Sequence, residues 1–108
     1  GSEGAAMNDK LEQAFTEALT KAMDEADGLG VAQKRLRADV ERFGGAACAR
    51  ELLKKQRRSD GFEALSDLGR LDLSLEALVT AGKFGSLFTD DEVNQCFTAL
   101  CDNNYYRI

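Results

Sequence analysis

The sequence contains no histidine, no proline and no tryptophan. Without histidine, the chain lacks the usual general base at neutral pH and the commonest protein ligand for transition metals. It can form neither a Ser-His-Asp triad nor a zinc site with histidine ligands. It also has no GxxxxGKS/T or GxGxxG loop that would bind phosphates. These absences predict a protein that is not an enzyme and that needs no cofactor or metal.

Valine and isoleucine, which favour strands, are also scarce. The chain has four valines and one isoleucine, against fourteen leucines and fifteen alanines. Leucine and alanine lose little side-chain freedom in a helix. Because there is no proline to interrupt helices, the ten glycines are the main helix terminators. This composition predicts an all-α fold.

Apolar residues that recur every three or four positions predict six helices. The expected helices are 8–26, 31–43, 46–55, 60–68, 75–81 and 90–102. Asp60 with Glu63 and Thr89 with Glu92 match the capping-box spacing, and Asp72 or Ser74 can cap the fifth helix. Because the connections between these helices are short, we expect a compact orthogonal bundle of about five to six short helices.

Residues 1–6 precede the first methionine and are expected to be a vector-derived tag, leaving 7–108 as a single helical domain. The net charge of −5 argues against nucleic-acid binding over the whole surface. No apolar run approaches the roughly 20 residues of a membrane span. Cys48, Cys96 and Cys101 lack CxxC spacing, fall on apolar stripes and are predicted to be buried, reduced thiols. We therefore expect a soluble, cytoplasmic protein.

The basic run 54–58 is the most unusual local concentration of charge. Lys54, Lys55, Arg57 and Arg58 either contact phosphates or an acidic partner, or complement the negative end of the preceding helix. A helix-turn-helix interpretation of the segment that follows is not favoured. Its second helix would present Glu76, Ala77 and Thr80, and none of the side chains that usually contact bases.

Polar residues around the next connection allow two interpretations. In one, Arg70 forms an ion pair with Asp60 or Asp72 that fixes a turn. In the other, Ser59, Asp60, Arg70 and Asp72 form a polar edge that binds a partner.

Several motifs occur in order between residues 40 and 106. They are Gly44-Gly45, Ser59-Asp60-Gly61-Phe62, Gly69-Arg70-Leu71-Asp72-Leu73-Ser74-x-Glu76-Ala77-Leu78-Val79 and Leu87-Phe88-Thr89-x-x-Glu92. With these motifs the segment resembles a small helical domain of bacterial proteins that has no established activity. The resemblance implies a helical fold, a bacterial source and an association with phage or other mobile elements, and it implies no catalytic residues.

The leading hypothesis is a non-enzymatic protein-interaction or regulatory module of a bacterium or its mobile elements, with another protein as its partner. Leu87, Phe88, Tyr105 and Tyr106 either mediate self-association in a homodimer or pack back onto their own domain. Two alternatives remain open. One is a phage-encoded inhibitor of a bacterial defence nuclease, and the other is a nucleic-acid-associated protein that uses the basic run 54–58.

Overall fold

Six α-helices and two short 3₁₀ helices make up most of residues 2–102, the part of the chain that the computed structural model describes, with side chains from Lys10 onward. This stretch contains no β-strand, which confirms the all-α prediction. The α-helices are α1 (Ser2–Gly28), α2 (Lys34–Phe43), α3 (Gly45–Lys54), α4 (Phe62–Asp67), α5 (Leu75–Val79) and α6 (Asp90–Asp102). The 3₁₀ helices are Leu71–Leu73 and Gly85–Leu87.

Helix α1 supplies side chains to both hydrophobic clusters of the core. Phe15, Leu19 and Met23 pack in one cluster with residues of α2, α3, α5 and α6. Ala22 and Ala26 belong to the second cluster, which α4 and the end of α6 complete. The predicted apolar stripe of the first helix is therefore confirmed. The radius of gyration of 13.4 Å is close to the about 13 Å expected of a folded domain of 100 residues.

Helices α1 and α3 approach closely at Gly45. A Cβ atom at this position would lie 3.0 Å from both the Cα and the Oγ1 atoms of Thr16. The backbone N–H of Gly45 donates a hydrogen bond of 2.9 Å to the same Thr16 hydroxyl. The close packing of α3 against α1 therefore favours glycine at position 45, whereas the turn between α2 and α3 is made by Gly44, whose φ is +87°.

One of the two predicted capping boxes forms and the other does not. At the start of α6, the N–H of Thr89 donates to Glu92 Oε1 at 2.8 Å, and the N–H of Glu92 donates to Thr89 Oγ1 at 3.2 Å. The prediction of an Asp60–Glu63 capping box is wrong, because the N-cap residue of α4 is Gly61, in a left-handed conformation with φ of +79°. The Asp60 carboxylate instead accepts a hydrogen bond from the backbone N–H of Arg35.

Three side chains at apolar positions of their helices are exposed, among them Cys101, which was predicted to be buried. Phe43, the last residue of α2, is 64% exposed, whereas Leu36 and Val40 of the same stripe are buried. The chain turns at Gly44, directly after Phe43. Phe97 and Cys101 lie on exposed positions of α6.

Candidate interaction groove

A buried carboxylate fixes the turn that joins α3 to α4. Glu76, in the first turn of α5, is only 1% exposed. Its Oε2 atom accepts a hydrogen bond of 2.7 Å from the backbone N–H of Ser59, and its Oε1 atom accepts one of 2.6 Å from the Ser59 hydroxyl. Burial raises the pKa of this carboxyl above its ordinary range, while the two bonds from Ser59 and the positive charge of Arg58 oppose the increase.

The other side of the same turn, residues 57–61, is bonded to the start of α2. The Gln33 amide Nε2 donates a hydrogen bond of 2.8 Å to the Asp60 carbonyl, and Asp60 Oδ2 accepts one of 3.2 Å from the N–H of Arg35. The Gln33 amide oxygen is buried and has no hydrogen-bond partner among the described residues. The turn is therefore connected to both α5 and α2, although it belongs to neither.

A groove of about 1020 Å³ lies between α2, α3, the turn 57–61 and α4. Its apolar lining includes Leu36, Cys48 and Phe62, which are buried, and Leu52, which is half-buried. The exposed Phe43 also lines it, at the end of α2. We refer to this feature as the groove.

The groove has charged residues of both signs. The cationic lining residues are Arg35, Lys55, Arg57 and Arg58, and the anionic ones are Asp39, Glu51, Asp60 and Glu63. Lys55 forms an ion pair with Glu51 on the same helix, and Arg58 forms one with Asp102 of α6, each at 3.5 Å. Within residues 10–102, Arg35, Arg57, Asp39, Asp60 and Glu63 form no ion pair, although Asp60 accepts the hydrogen bond from the Arg35 N–H.

A smaller cleft of about 300 Å³ lies on the other side of Arg57 and Arg58, against α6. Glu76 and Cys96 are among its lining residues. Burial raises the pKa of the Cys96 thiol to about 12, and the negative charges of Glu76 and Glu92 add to the effect. The thiol is therefore protonated at neutral pH and is a poor nucleophile there.

The predicted basic run is exposed, and half of its charge is neutralised locally. Lys54 and Lys55 lie at the end of α3, as the helix-dipole interpretation requires, and Arg57 and Arg58 follow in the turn. Besides its ion pair, the Arg58 guanidinium lies 5.3 Å from the centre of the Phe62 ring. Lys54 and Arg57 are the two members of the run without an ion pair within residues 10–102.

The predicted polar edge separates into two unconnected parts. Ser59 and Asp60 lie in the turn beside the groove. Arg70 Nε is 3.1 Å from Asp72 Oδ1, and Arg70 Nη2 is 3.4 Å from Glu25 Oε2 on α1. The predicted Arg70–Asp72 pair is therefore present, and Arg70 and Asp72 do not line the groove.

The structure places Leu87 and Phe88 inside the domain, where they are 5% and 8% exposed. The Phe88 ring packs against Phe15 with 5.3 Å between centroids. Leu87 and Phe88 therefore pack onto their own domain. Because so little of either side chain is exposed, they offer little surface for self-association. Tyr105 and Tyr106 lie outside the described residues.

Glu76, Phe43 and Arg50 were not predicted to be site residues. Arg50 holds α3 to the segment before α6, because its Nε and Nη2 atoms donate hydrogen bonds of 3.0 and 2.8 Å to the Leu87 carbonyl. Its guanidinium also lies 5.9 Å from the centre of the Phe88 ring. A basic residue inside a helix with a small apolar edge gives no sequence signal of such a role.

The described part of the chain has neither a cluster of metal ligands nor a membrane-spanning helix. Among these residues, no group of three or more Cys, Asp or Glu side chains is placed to hold a metal ion. No helix described there combines the length and apolar character needed to cross a membrane.

Comparisons of the chain with protein-family models, with curated proteins and with solved structures gave no significant match.

Proposed function

We propose that the protein is a non-enzymatic interaction module that binds a protein partner along the groove. The observation that carries this proposal is Phe43, a large aromatic side chain that is 64% exposed beside a concave, partly apolar surface. Aromatic side chains contribute much of the binding energy of protein interfaces, and clustered exposed apolar groups commonly mark such interfaces. Charged residues around an apolar centre match the usual arrangement of an interface core and rim.

The fixed position of the turn 57–61 supports the same proposal. Glu76 holds the turn from one side and Gln33 holds it from the other. A binding surface that is already ordered loses less conformational entropy when its partner binds. The groove is therefore suited to recognition without a large rearrangement.

Two observations support binding over catalysis. Both oxygens of the buried Glu76 carboxylate already accept hydrogen bonds from Ser59. Burial raises the pKa of the Cys48 thiol to about 11 and that of Cys96 to about 12, so neither is an activated nucleophile. We further propose a bacterial cytoplasm as the compartment, since Cys48, Cys96 and Cys101 are all free thiols.

The charge distribution favours a protein partner over nucleic acid. The groove has as many acidic as basic lining residues, and acidic side chains repel phosphates. Two of the four cations of the basic run are in ion pairs, which leaves Lys54 and Arg57. Two phosphate contacts provide little of the electrostatic free energy on which non-specific binding depends.

Quantitative affinity capture from cells that produce the protein tests this proposal. The bait is the full chain, compared with Phe43→Glu and with the control Leu68→Glu. Leu68 is 51% exposed and does not line the groove, so it controls for the loss of an exposed apolar side chain. We expect a protein that is enriched by the wild type and by the Leu68 variant and at least tenfold less by the Phe43 variant. Equal enrichment by all three baits would contradict the proposal.

A further inference from the structure

The groove face carries both a projecting side chain and a cavity able to receive one. Phe43 projects at the end of α2, with the Arg42 guanidinium 5.8 Å from its ring centre. The groove of about 1020 Å³ lies beside it. In a two-fold symmetric dimer, the same surface patch of each copy meets the other, so the patch must contain complementary features. A projection and a cavity on one face satisfy that requirement.

The groove also carries charges of both signs, as a self-complementary face requires. Its lining contains four cationic and four anionic residues and is therefore neutral, although the whole chain has a net charge of −5. Two cationic residues, Arg35 and Arg57, and three anionic residues, Asp39, Asp60 and Glu63, lack an ion pair within residues 10–102. Two copies of an acidic protein repel one another over most of their surfaces, and a neutral face with unpaired charges of both signs avoids that cost.

The size of the face sets the expected strength of association. Seventeen residues line the groove, whereas a standard stable interface uses roughly 20–30 residues on each side. We therefore expect a contact through the groove to be weaker than a standard interface, and reversible. A strongly charged partner of another kind would need a groove lined by residues of the opposite charge. The lining of this groove has no net charge and so does not fit such a partner.

We infer that the occupant of the groove is a second copy of this chain, in a two-fold symmetric dimer in which the partner's Phe43 inserts between α3 and α4. This inference rests on the proposed function and names the partner of the same site. Each copy contributes Phe43 to the other, and the unpaired cations of one groove face the unpaired anions of the other.

Sedimentation equilibrium of the full chain at about 5–500 µM tests the inference. We expect a reversible monomer–dimer equilibrium for the wild type and a dimer dissociation constant at least tenfold weaker for Phe43→Glu. The control Leu68→Glu should associate like the wild type. Circular dichroism and melting temperature establish that each variant is folded, since exposed substitutions of this kind change stability little.

Charge reversal gives a second, positive arm of the experiment. One variant carries Arg35→Glu and Arg57→Glu, and the other carries Asp39→Lys and Glu63→Lys. Each should be monomeric by itself, because like charges then face each other, and an equimolar mixture should form a heterodimer that weakens with added salt.

Three results would overturn the inference. They are a wild type that stays monomeric at 500 µM, a dimer that survives Phe43→Glu, and charge-reversed variants that do not associate when mixed. Occupation of the groove by residues 103–108 or by a different protein gives the first of these results. If a different protein occupies the groove, the wild type should capture that protein and Phe43→Glu should not. That outcome would leave the proposed function intact while the dimer is rejected.

Discussion

The Glu76 carboxylate accepts hydrogen bonds from both the backbone N–H and the hydroxyl of Ser59, at 2.7 and 2.6 Å, and both residues are almost completely buried. This contact joins α5 to the turn 57–61, which forms one side of the groove. The position of the proposed binding surface therefore depends on a residue at the start of another helix.

Removal of either partner of this contact should destabilise the fold. Ser59→Ala leaves Oε1 of the buried Glu76 without its hydrogen-bond donor, which costs about 1–3 kcal/mol. Glu76→Ala leaves a cavity and unsatisfied donors and should cost about 2–5 kcal/mol. Urea denaturation measures both losses, with Ser86→Ala, at an exposed serine, as the control. Losses in the two variants no larger than that of Ser86→Ala would contradict the role of this contact.

The ionisation of Glu76 should give stability a specific pH dependence. Because its pKa is raised in the folded protein, the folded state binds the proton more tightly than the unfolded state. The contribution of Glu76 to stability should therefore fall as the pH rises from its ordinary pKa through the raised value, and then become constant. Glu76→Gln removes this dependence, since its amide can accept from the Ser59 N–H and donate to the Ser59 hydroxyl.

The difference in unfolding free energy between the wild type and Glu76→Gln, measured by urea denaturation from pH 4 to 8, isolates this effect. The wild type should lose stability relative to the variant as the pH rises. A difference that is constant with pH, or that changes in the opposite direction, would show that the pKa of Glu76 is not raised.

Gly61 should tolerate a side chain less well than another glycine with a similar backbone conformation. Gly61 and Gly69 both have positive φ angles, of +79° and +71°. A Cβ at Gly61 would lie 2.9 Å from both Gln33 Cγ and Val31 Cγ1, whereas a Cβ at Gly69 meets nothing within 4 Å. Gly69→Ala should cost about 1–2 kcal/mol from backbone strain, and Gly61→Ala should cost more. Equal losses in thermal or urea unfolding would contradict the close packing of the turn against the start of α2.

The three thiols should differ sharply in reactivity. Cys101 is exposed on α6, whereas burial and the charge of Asp39 raise the pKa of Cys48 to about 11, and the pKa of Cys96 is raised to about 12. At neutral pH, a thiol-specific reagent such as Ellman's should modify one cysteine rapidly in the folded protein and three in urea. Cys101→Ser should abolish the rapid phase. Rapid modification of two or three thiols in the folded wild type would contradict the burial of Cys48 or Cys96.

Local patterns predicted the parts of this fold that depend on local interactions. The apolar spacing of α1 and the Thr89–Glu92 capping box are both present, because each is determined by residues within a few positions of one another. The burial of Glu76 could not be predicted, since its donor Ser59 lies 17 residues away in sequence. The groove forms where α2, α3 and α4 meet, and Phe43 lies beside it at the end of α2, so both depend on how separate helices pack and not on local spacing.

Site-specific photocrosslinking at position 43 tests most directly whether the groove binds a protein. A photoreactive phenylalanine analogue replaces Phe43 in one variant and Leu68 in the other, and both are irradiated in cells that produce the protein. We predict a discrete crosslinked species from position 43, either a dimer of the chain or an adduct with another protein, and none from position 68. The absence of a crosslink from position 43, or identical crosslinks from both positions, would contradict the account.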